Sequence, residues 1–195
     1  MKKINEIFYS LQGEGANTGI PAVFVRFSGC NLRCAFCDTK HEKGTLMTDD
    51  EIFAAVSRYT EARLIVLTGG EPSLFIDEEF VKLMKLTGKQ VAIETNGTKE
   101  LPPNIDWVTL SPKMGFEGGS AHEVVLSECD ELKVVYVGQP IEPYFKYKAK
   151  QYFLQPCYSD DEQARRANIE ATIKAVLGDS RWRLSMQMHR VAGIR

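Results

Sequence analysis

"PAVFVRFSGCNLRCAFCDT", Pro21 to Thr39, joins two unlike pieces: a run of branched and aromatic side chains, then a polar loop carrying three cysteines. The first piece, "PAVFVRF", reads as a strand apolar enough to be buried on both faces, as strands of a parallel sheet are. The second holds Cys30, Cys34 and Cys37 at C-x3-C-x2-C spacing, with Phe36 just before the last. A strand running straight into such a loop delivers thiols to its carboxyl end, where parallel sheets place their ligands.

Working outward, "RLIVLT" (63–68), "QVAIET" (90–95), "DWVTL" (106–110), "ELKVVY" (131–136) and "QYFLQ" (151–155) read as further strands, and "WRLSMQM" near the end adds a possible last one. Helical patterns lie between them. Residues 48–59 open on Thr48 with Glu51 three residues later, a capping-box signature. Residues 77–86 space Phe80, Val81 and Met84 on one face before Gly88, and 160–177 carry Ile169, Ile173 and Val176 before Gly178. Strands alternating with helices imply right-handed crossovers and a parallel sheet. Three helical crossovers for about six strands are too few for a closed eightfold barrel, so the expected fold is α/β: an open partial TIM-like barrel of about six parallel strands with few helices, in a single domain over 1–195.

Four more strands end in distinctive loops: "TGGEP", "ETNG", "SPK" and "QPC". If these meet the cysteine loop at one rim, the rim is a convergent site.

At 195 residues, 44% hydrophobic and 26% charged, the composition is that of an ordinary globular protein. No apolar run approaches the roughly 20 residues of a membrane span, and the start lacks a signal-peptide core. The expected location is cytoplasmic, where a tight cysteine group signals metal or catalysis rather than disulfides. A net charge of -2 and pI near 6.0 argue against a nucleic-acid partner. The run "KYKAK" (146–150) reads as a solvated edge rather than a basic patch.

A structural zinc ion prefers four protein ligands. Here the fourth is not adjacent; Cys129, Cys157, His41 and His189 are the candidates, and Cys129 reads as structural. A 4Fe-4S cluster normally takes one cysteine per iron, so three would leave an iron open to a substrate or cofactor. On spacing alone both readings stand, with the balance toward zinc.

The cysteine motif with its preceding aromatic, followed by "GGEP" after the next strand, resembles the radical S-adenosylmethionine (SAM) superfamily. "YSLQGEG", "VRFSGCNLRCAFCDT", "TGGEP", "ETNG", "LSPK" and "QMHRVAGIR", in that order along nearly the whole chain, resemble the 7-carboxy-7-deazaguanine synthase family. A glycyl-radical-enzyme activase would share the cluster residues but has no evident need for "SLQGEG" or "QMHRVAGIR".

The resemblance implies a lyase of queuosine and 7-deazapurine biosynthesis that converts 6-carboxy-5,6,7,8-tetrahydropterin to 7-carboxy-7-deazaguanine with loss of ammonia. Cys30, Cys34 and Cys37 would hold a 4Fe-4S cluster whose open iron SAM chelates, and the radical would come from the cofactor, with no catalytic side chain assigned. SAM would contact Phe36, Asp38, Gly70, Glu71, Ser111, Pro112, Lys113, Gln155, Pro156 and Cys157. Gly69 and Gly70 would admit the backbone to its methionine part, and Lys113 would face its carboxylate. Thr39 would bind Mg2+. Leu11, Gln12, Gly13, Glu14, Arg26, Thr68, His189 and Arg195 would contact the pterin, Arg26 clamping its carboxylate. Glu94, Thr95 and Asn96 would line the site or cap their strand. Gln187 and His189 would point the same way if "MQMHR" is extended. A homodimer and an electron donor such as flavodoxin or ferredoxin complete the implied partners.

Overall fold

A computed structural model describes residues 1–37, 39, 43–116, 119 and 122–195. Asp38 and His41 lie outside the described residues. The chain forms a nine-stranded sheet. In chain order its elements are β1 (Lys2–Leu11), β2 (Pro21–Phe27), β3 (Thr45–Met47), α1 (Asp49–Ser57), β4 (Leu64–Gly69), α2 (Glu78–Lys85), β5 (Gln90–Thr95) and β6 (Trp107–Leu110). There follow β7 (Glu128–Tyr136), β8 (Lys148–Pro156), α3 (Glu162–Gly178), β9 (Trp182–Leu184) and α4 (Met188–Ala192). The strand order is β3-β1-β2-β4-β5-β6-β7-β8-β9, not closed on itself.

From β2 to β9 every neighbouring pair is parallel. The expected open, helix-poor parallel sheet is therefore present, with β9 as the extra strand suggested by "WRLSMQM". The sequence reading lacked β1 and β3, which add an antiparallel edge. β1 is "KKINEIFYSL", with polar residues interrupting its apolar ones, and its pairing with β2 shifts register between Ile4 and Glu6.

The helices form where the sequence provides starts. Thr48 Oγ1 accepts from the Glu51 amide at 3.2 Å while Glu51 accepts from the Thr48 amide at 2.7 Å, closing the capping box of α1. Asp77 and Asp161 cap α2 and α3 through the Phe80 and Ala164 amides. Ile52, Val56, Phe80, Val81 and Met84 bury against the outer face of β2, β4 and β5, where Val23, Val25, Phe27, Ile65, Leu67, Val91 and Ile93 are packed. Among the described residues no helix is long and apolar enough to cross a membrane.

Alternation along the strands builds the inner face. Phe8, Ala22, Phe24, Leu64, Val66 and Ala92 form its apolar floor. Two residues further along the same face come Arg26, Thr68 and Glu94; β7 and β8 add Glu131, Lys133 and Gln155. One face thus passes from a packed floor to a polar rim at the carboxyl ends of the strands.

In "KYKAK", Tyr147 is buried, while Lys148 and Lys150 pair with Glu128 and Asp130 at the surface. The expected solvated edge holds for the lysines.

Candidate active site

Two adjoining cavities open on the rim. The larger, of about 220 Å³, is walled by the loops following β2, β4, β5, β6 and β8, together with Lys133 and Val135 of β7. Cys30, Cys34, Phe36, Cys37 and Thr39 form one wall; Gly70 and Glu71, Ser111 and Lys113, and Gln155, Pro156 and Cys157 form the others. Pro112 is buried and is not on the wall, so its fixed φ shapes the turn that presents its two neighbours.

The smaller cavity is lined by Leu11, Gln12, Gly13, Glu14, Arg26, Thr68, His189 and Arg195, with Phe8, Phe24 and Glu94. Glu14, Thr68 and Glu94 line both cavities, so these three side chains stand at the boundary.

The cysteine loop is held by the strand ends around it. The Gly70 amide donates to Phe27 O and the Glu71 amide to Gly29 O, each at 2.9 Å. A Cβ on Gly70 would stand 1.9 Å from Gly29 O, so only glycine permits this approach. The Glu71 carboxylate is almost wholly buried and accepts from Thr95 Oγ1 (2.6 Å), the Asn96 amide (2.7 Å) and the Ser73 amide (3.1 Å). It ties the β4 loop to the β5 loop. Asn96 Nδ2 donates to Asn31 Oδ1 at 3.0 Å, and Asn31 Nδ2 donates to Thr98 Oγ1 at 2.7 Å, extending the tie into the cysteine loop. Thr95 and Asn96 therefore both line the cavity and brace it.

Burial raises the Cys30 and Cys34 thiols above their ordinary range, the Leu32 amide and Lys113 respectively acting against it. Among the described residues no three His, Cys, Asp or Glu side chains come together to hold a single metal ion. The three thiols thus share a cavity wall without forming a one-ion site, which suits a cluster that gives each thiolate its own iron. Lys113 provides a second sign of fit. Its ammonium donates to Ser111 O (2.9 Å) and Ser111 Oγ (2.5 Å) but has no carboxylate in ion-pair range among the described residues. Burial, and after it the charge of Lys133, lowers its pKa, so an anionic ligand group in this cavity would restore the missing counter-charge.

Lys133 is 4% exposed and forms ion pairs with Glu14 and with Glu94, the latter at 3.4 Å. Burial alone would raise the Glu14 carboxyl, but the Lys133 charge and hydrogen bonds from Lys133, Gln187 and Gln155 hold it down at about 2. The same carboxylates raise Lys133 against the effect of its own burial. Glu131 is raised by burial, opposed by Lys133 and by the Ala16 amide, which donates to it at 2.8 Å.

Arg26 Nε is buried without a hydrogen-bond partner; Glu6 Oε1 lies 3.4 Å away, in ion-pair range but outside hydrogen-bonding geometry. The Arg195 guanidinium also pairs with Glu6, and Ser10 Oγ donates to Arg195 O at 2.6 Å. The extended reading of "MQMHR" is corrected: Met188–Ala192 is helical, closed by Gly193 at φ 65°, whose left-handed geometry lets the Ile194 amide reach His189 O at 3.0 Å. Gln187 and His189 consequently diverge. Gln187 Nε2 donates to Glu14 Oε1 at 2.9 Å in the first cavity, while His189 lines the second against Gly13.

Cys129 lies in the outer apolar cluster of β7, its thiol pushed up to about 12, mainly by burial. The sequence reading missed Lys133 and Tyr158 as wall residues. Lys133 had a signal: with Glu131 it places two charges, two residues apart, within the buried stretch of β7.

Thiols at the carboxyl end of an open parallel sheet, beside a glycine loop and a buried ammonium, are the features of a radical SAM site, and a sequence model of the Radical SAM superfamily matches residues 24–117. The curated relatives narrow this. A 7-carboxy-7-deazaguanine synthase of Bacteroides thetaiotaomicron is 54% identical over 195 residues, covering 100% of both chains. Another, of Bordetella pertussis, is 39% identical, covering 98% of each. The crystal structure of QueE from Escherichia coli superposes with a TM-score of 0.75 at 34% identity, covering 96% of this chain and 94% of that one. Streptococcus suis SuiB bound to S-adenosylmethionine shares the fold alone, with a TM-score of 0.56 at 13% identity, covering 80% of this chain and 48% of that one. The chain belongs to the 7-carboxy-7-deazaguanine synthase family of radical SAM enzymes. As such it uses a 4Fe-4S cluster and SAM, acts on a small molecule and requires a reductant.

Proposed function

We propose that this chain converts 6-carboxy-5,6,7,8-tetrahydropterin to 7-carboxy-7-deazaguanine with loss of ammonia, a lyase step toward queuosine and other 7-deazapurines. The observation that carries the reading is the pair of adjoining cavities, one walled by the three cysteines and the other by Arg26, with Glu14, Thr68 and Glu94 common to both. A cofactor and a substrate held in such neighbours meet at the shared boundary.

When bound, the cluster and SAM supply one-electron chemistry and hydrogen abstraction from a substrate carbon. Cys30, Cys34 and Cys37 hold the cluster. Lys113 would face the SAM carboxylate, and Gly70, Ser111 and the 155–157 loop would shape the wall around it, with Phe36 contributing from the cysteine loop; Asp38, assigned to SAM by family resemblance, lies outside the described residues. Glu71 lines the same wall, although three chain donors already occupy much of its carboxylate. Arg26, which lines the smaller cavity, clamps the pterin carboxylate with its guanidinium. Leu11, Gln12, Gly13 and Glu14 receive the amide and amine edge, with Thr68, His189 and the Arg195 end of the chain completing the cavity.

Thr39 is assigned to Mg2+, which keeps water and substrate oxygens around a single protein ligand. Thr39→Ala is expected to weaken the response of turnover to Mg2+ while SAM still binds; an unchanged Mg2+ titration removes the assignment. We further read residues 1–195 as one domain, working in the cytoplasm as a homodimer with flavodoxin or ferredoxin as donor.

The test is anaerobic turnover of the reconstituted protein with SAM, Mg2+ and the pterin, reading 7-carboxy-7-deazaguanine and 5'-deoxyadenosine by mass spectrometry. Both products are expected. SAM cleavage without the deazaguanine overturns the substrate; absence of cluster and cleavage overturns the cofactor assignment as well.

A further inference from the structure

Lys133 belongs to no motif, yet it is a buried charge beside the boundary of the two cavities. Its side chain is 6% exposed and touches Glu14 and Glu94, which reach it from the loop after β1 and from β5. Each carboxylate is also fixed from its other side. Gln187 Nε2 donates to Glu14 Oε1 at 2.9 Å; Gln12 Nε2 donates to Glu94 Oε1, and Thr68 Oγ1 to Glu94 Oε2, both at 3.1 Å. Gln12, Glu14, Thr68 and Glu94 all face the smaller cavity. Lys133 itself lines only the larger one.

A carboxylate as enclosed as Glu14 is held ionised by Lys133 against its own burial, and with no counter-charge it takes up a proton. A protonated carboxyl presents an O–H where a carboxylate would accept. The 2-amino and N3–H groups of a pterin are adjacent donors, so they match carboxylate acceptors and not a carboxyl O–H.

From this geometry we propose that Lys133 is a positioning residue for the pterin: the internal counter-ion that keeps Glu14 and Glu94 as an oriented pair of acceptors facing the second cavity. The proposal rests on the substrate assignment above and adds the reason its amine edge is read with charge. Lys133 acts through the two glutamates and does not itself touch the substrate.

The titration that follows depends on every charged group around the pair. Lys133 and Glu131 face it from β7, Glu71 from the loop after β4, Lys113 from the loop after β6, Arg26 from β2, His189 from α4 and Arg195 from the end of the chain. Of these only Lys133 is in ion-pair contact with both carboxylates. Its removal leaves burial to act on Glu14 without the opposing charge, raising it toward neutrality, and frees Glu94 from its ion pair.

The experiment measures the dissociation constant of 6-carboxytetrahydropterin for SAM-loaded holoenzyme at a series of pH values, in the parent and in Lys133→Met. The parent is expected to bind with a flat profile. The variant is expected to bind at least about tenfold more weakly near pH 6 than near pH 8, since each unit of pKa shift is a factor of ten. Lys133→Arg should restore much of the flat profile. A Lys133→Met variant whose pterin affinity is flat with pH, whether high or low, overturns the proposal. A parent that fails to bind the pterin removes the substrate assignment itself, which separates the two failures. Should Lys133→Met not fold, infrared titration of the parent decides: a protonated-carboxyl band near pH 6 that disappears in Glu14→Gln or Glu94→Gln overturns the proposal, and its absence sustains it.

Discussion

At the residue scale, the cysteines and Gly70 make the sharpest commitments. Cys30→Ala, Cys34→Ala and Cys37→Ala are each expected to abolish the iron–sulfur absorption after anaerobic reconstitution and to abolish turnover. Cys129→Ala should retain both, because its thiol packs in the outer cluster of β7, away from the cavity wall. Iron content and the visible spectrum check the set. Gly70→Ala tests the loop through sterics. Its Cβ would meet Gly29 O at 1.9 Å, a backbone atom that cannot turn aside, so the β4 and cysteine loops must separate. Misplacement of about 1 Å near reacting groups costs about a hundredfold in rate. A drop of that order, with the cluster still formed, is the expected result; parent-like turnover would show that the close approach is dispensable.

At the scale of elements, α1 and α4 respond to substitution in different ways. Thr48 closes a full capping box for α1, whose Ile52 and Val56 bury against the outer face of the sheet, remote from both cavities. Thr48→Ala should cost about 1 kcal/mol, read as a melting temperature lower by roughly 2–4 °C, with turnover unchanged. Gly193→Ala should act on function. It forces a side chain into φ 65° at the end of α4, and that five-residue helix carries His189 against Gly13. The expected signature is a raised KM for the pterin with little change in SAM affinity, measured by steady-state kinetics and by equilibrium binding. A KM at the parent value would mean that α4 holds His189 without its glycine cap.

At the scale of the whole molecule, the boundary charges link the site to stability. Glu14 has its pKa depressed from 4.5 to about 2, so it is ionised more readily in the folded chain than in the unfolded one. Its contribution is complete above the unfolded value and is lost as pH falls through the folded value. Urea midpoints should therefore fall between pH 4.5 and about 2 more steeply in the parent than in Glu14→Gln. Equal slopes would locate the acid sensitivity in other carboxylates. Glu131 works in the opposite sense, since its raised pKa favours the fold as pH falls, and it softens the decline without removing it. Ties between distant segments run through the same region. The Met188 amide donates to Gly13 O at 2.9 Å and Gln187 holds Glu14, which closes the two ends of the chain over one cavity.

The sequence by itself determined the repeating elements and the chemistry at their ends. Apolar runs long enough for one strand, caps such as Thr48 and Asp77, and loops such as "TGGEP" and "SPK" act through neighbours in the chain, so their consequences are readable locally. β1 was not legible, because its apolar residues are interrupted by polar ones and its pairing with β2 is irregular. Nor was α4: five residues carry too little periodicity, and the helix is set by Gly193 and by packing on Gly13 from the other end of the chain. The three cysteines could be read as metal ligands from spacing, whereas their arrangement on one cavity wall required the fold. Lys133 shows the difference most plainly. In the sequence it is one of several charges in its strand; its charge acquires meaning only where the sheet brings Glu14 and Glu94 to it from 119 and 39 residues away, because electrostatic interaction depends on distance through space and on burial, not on separation along the chain.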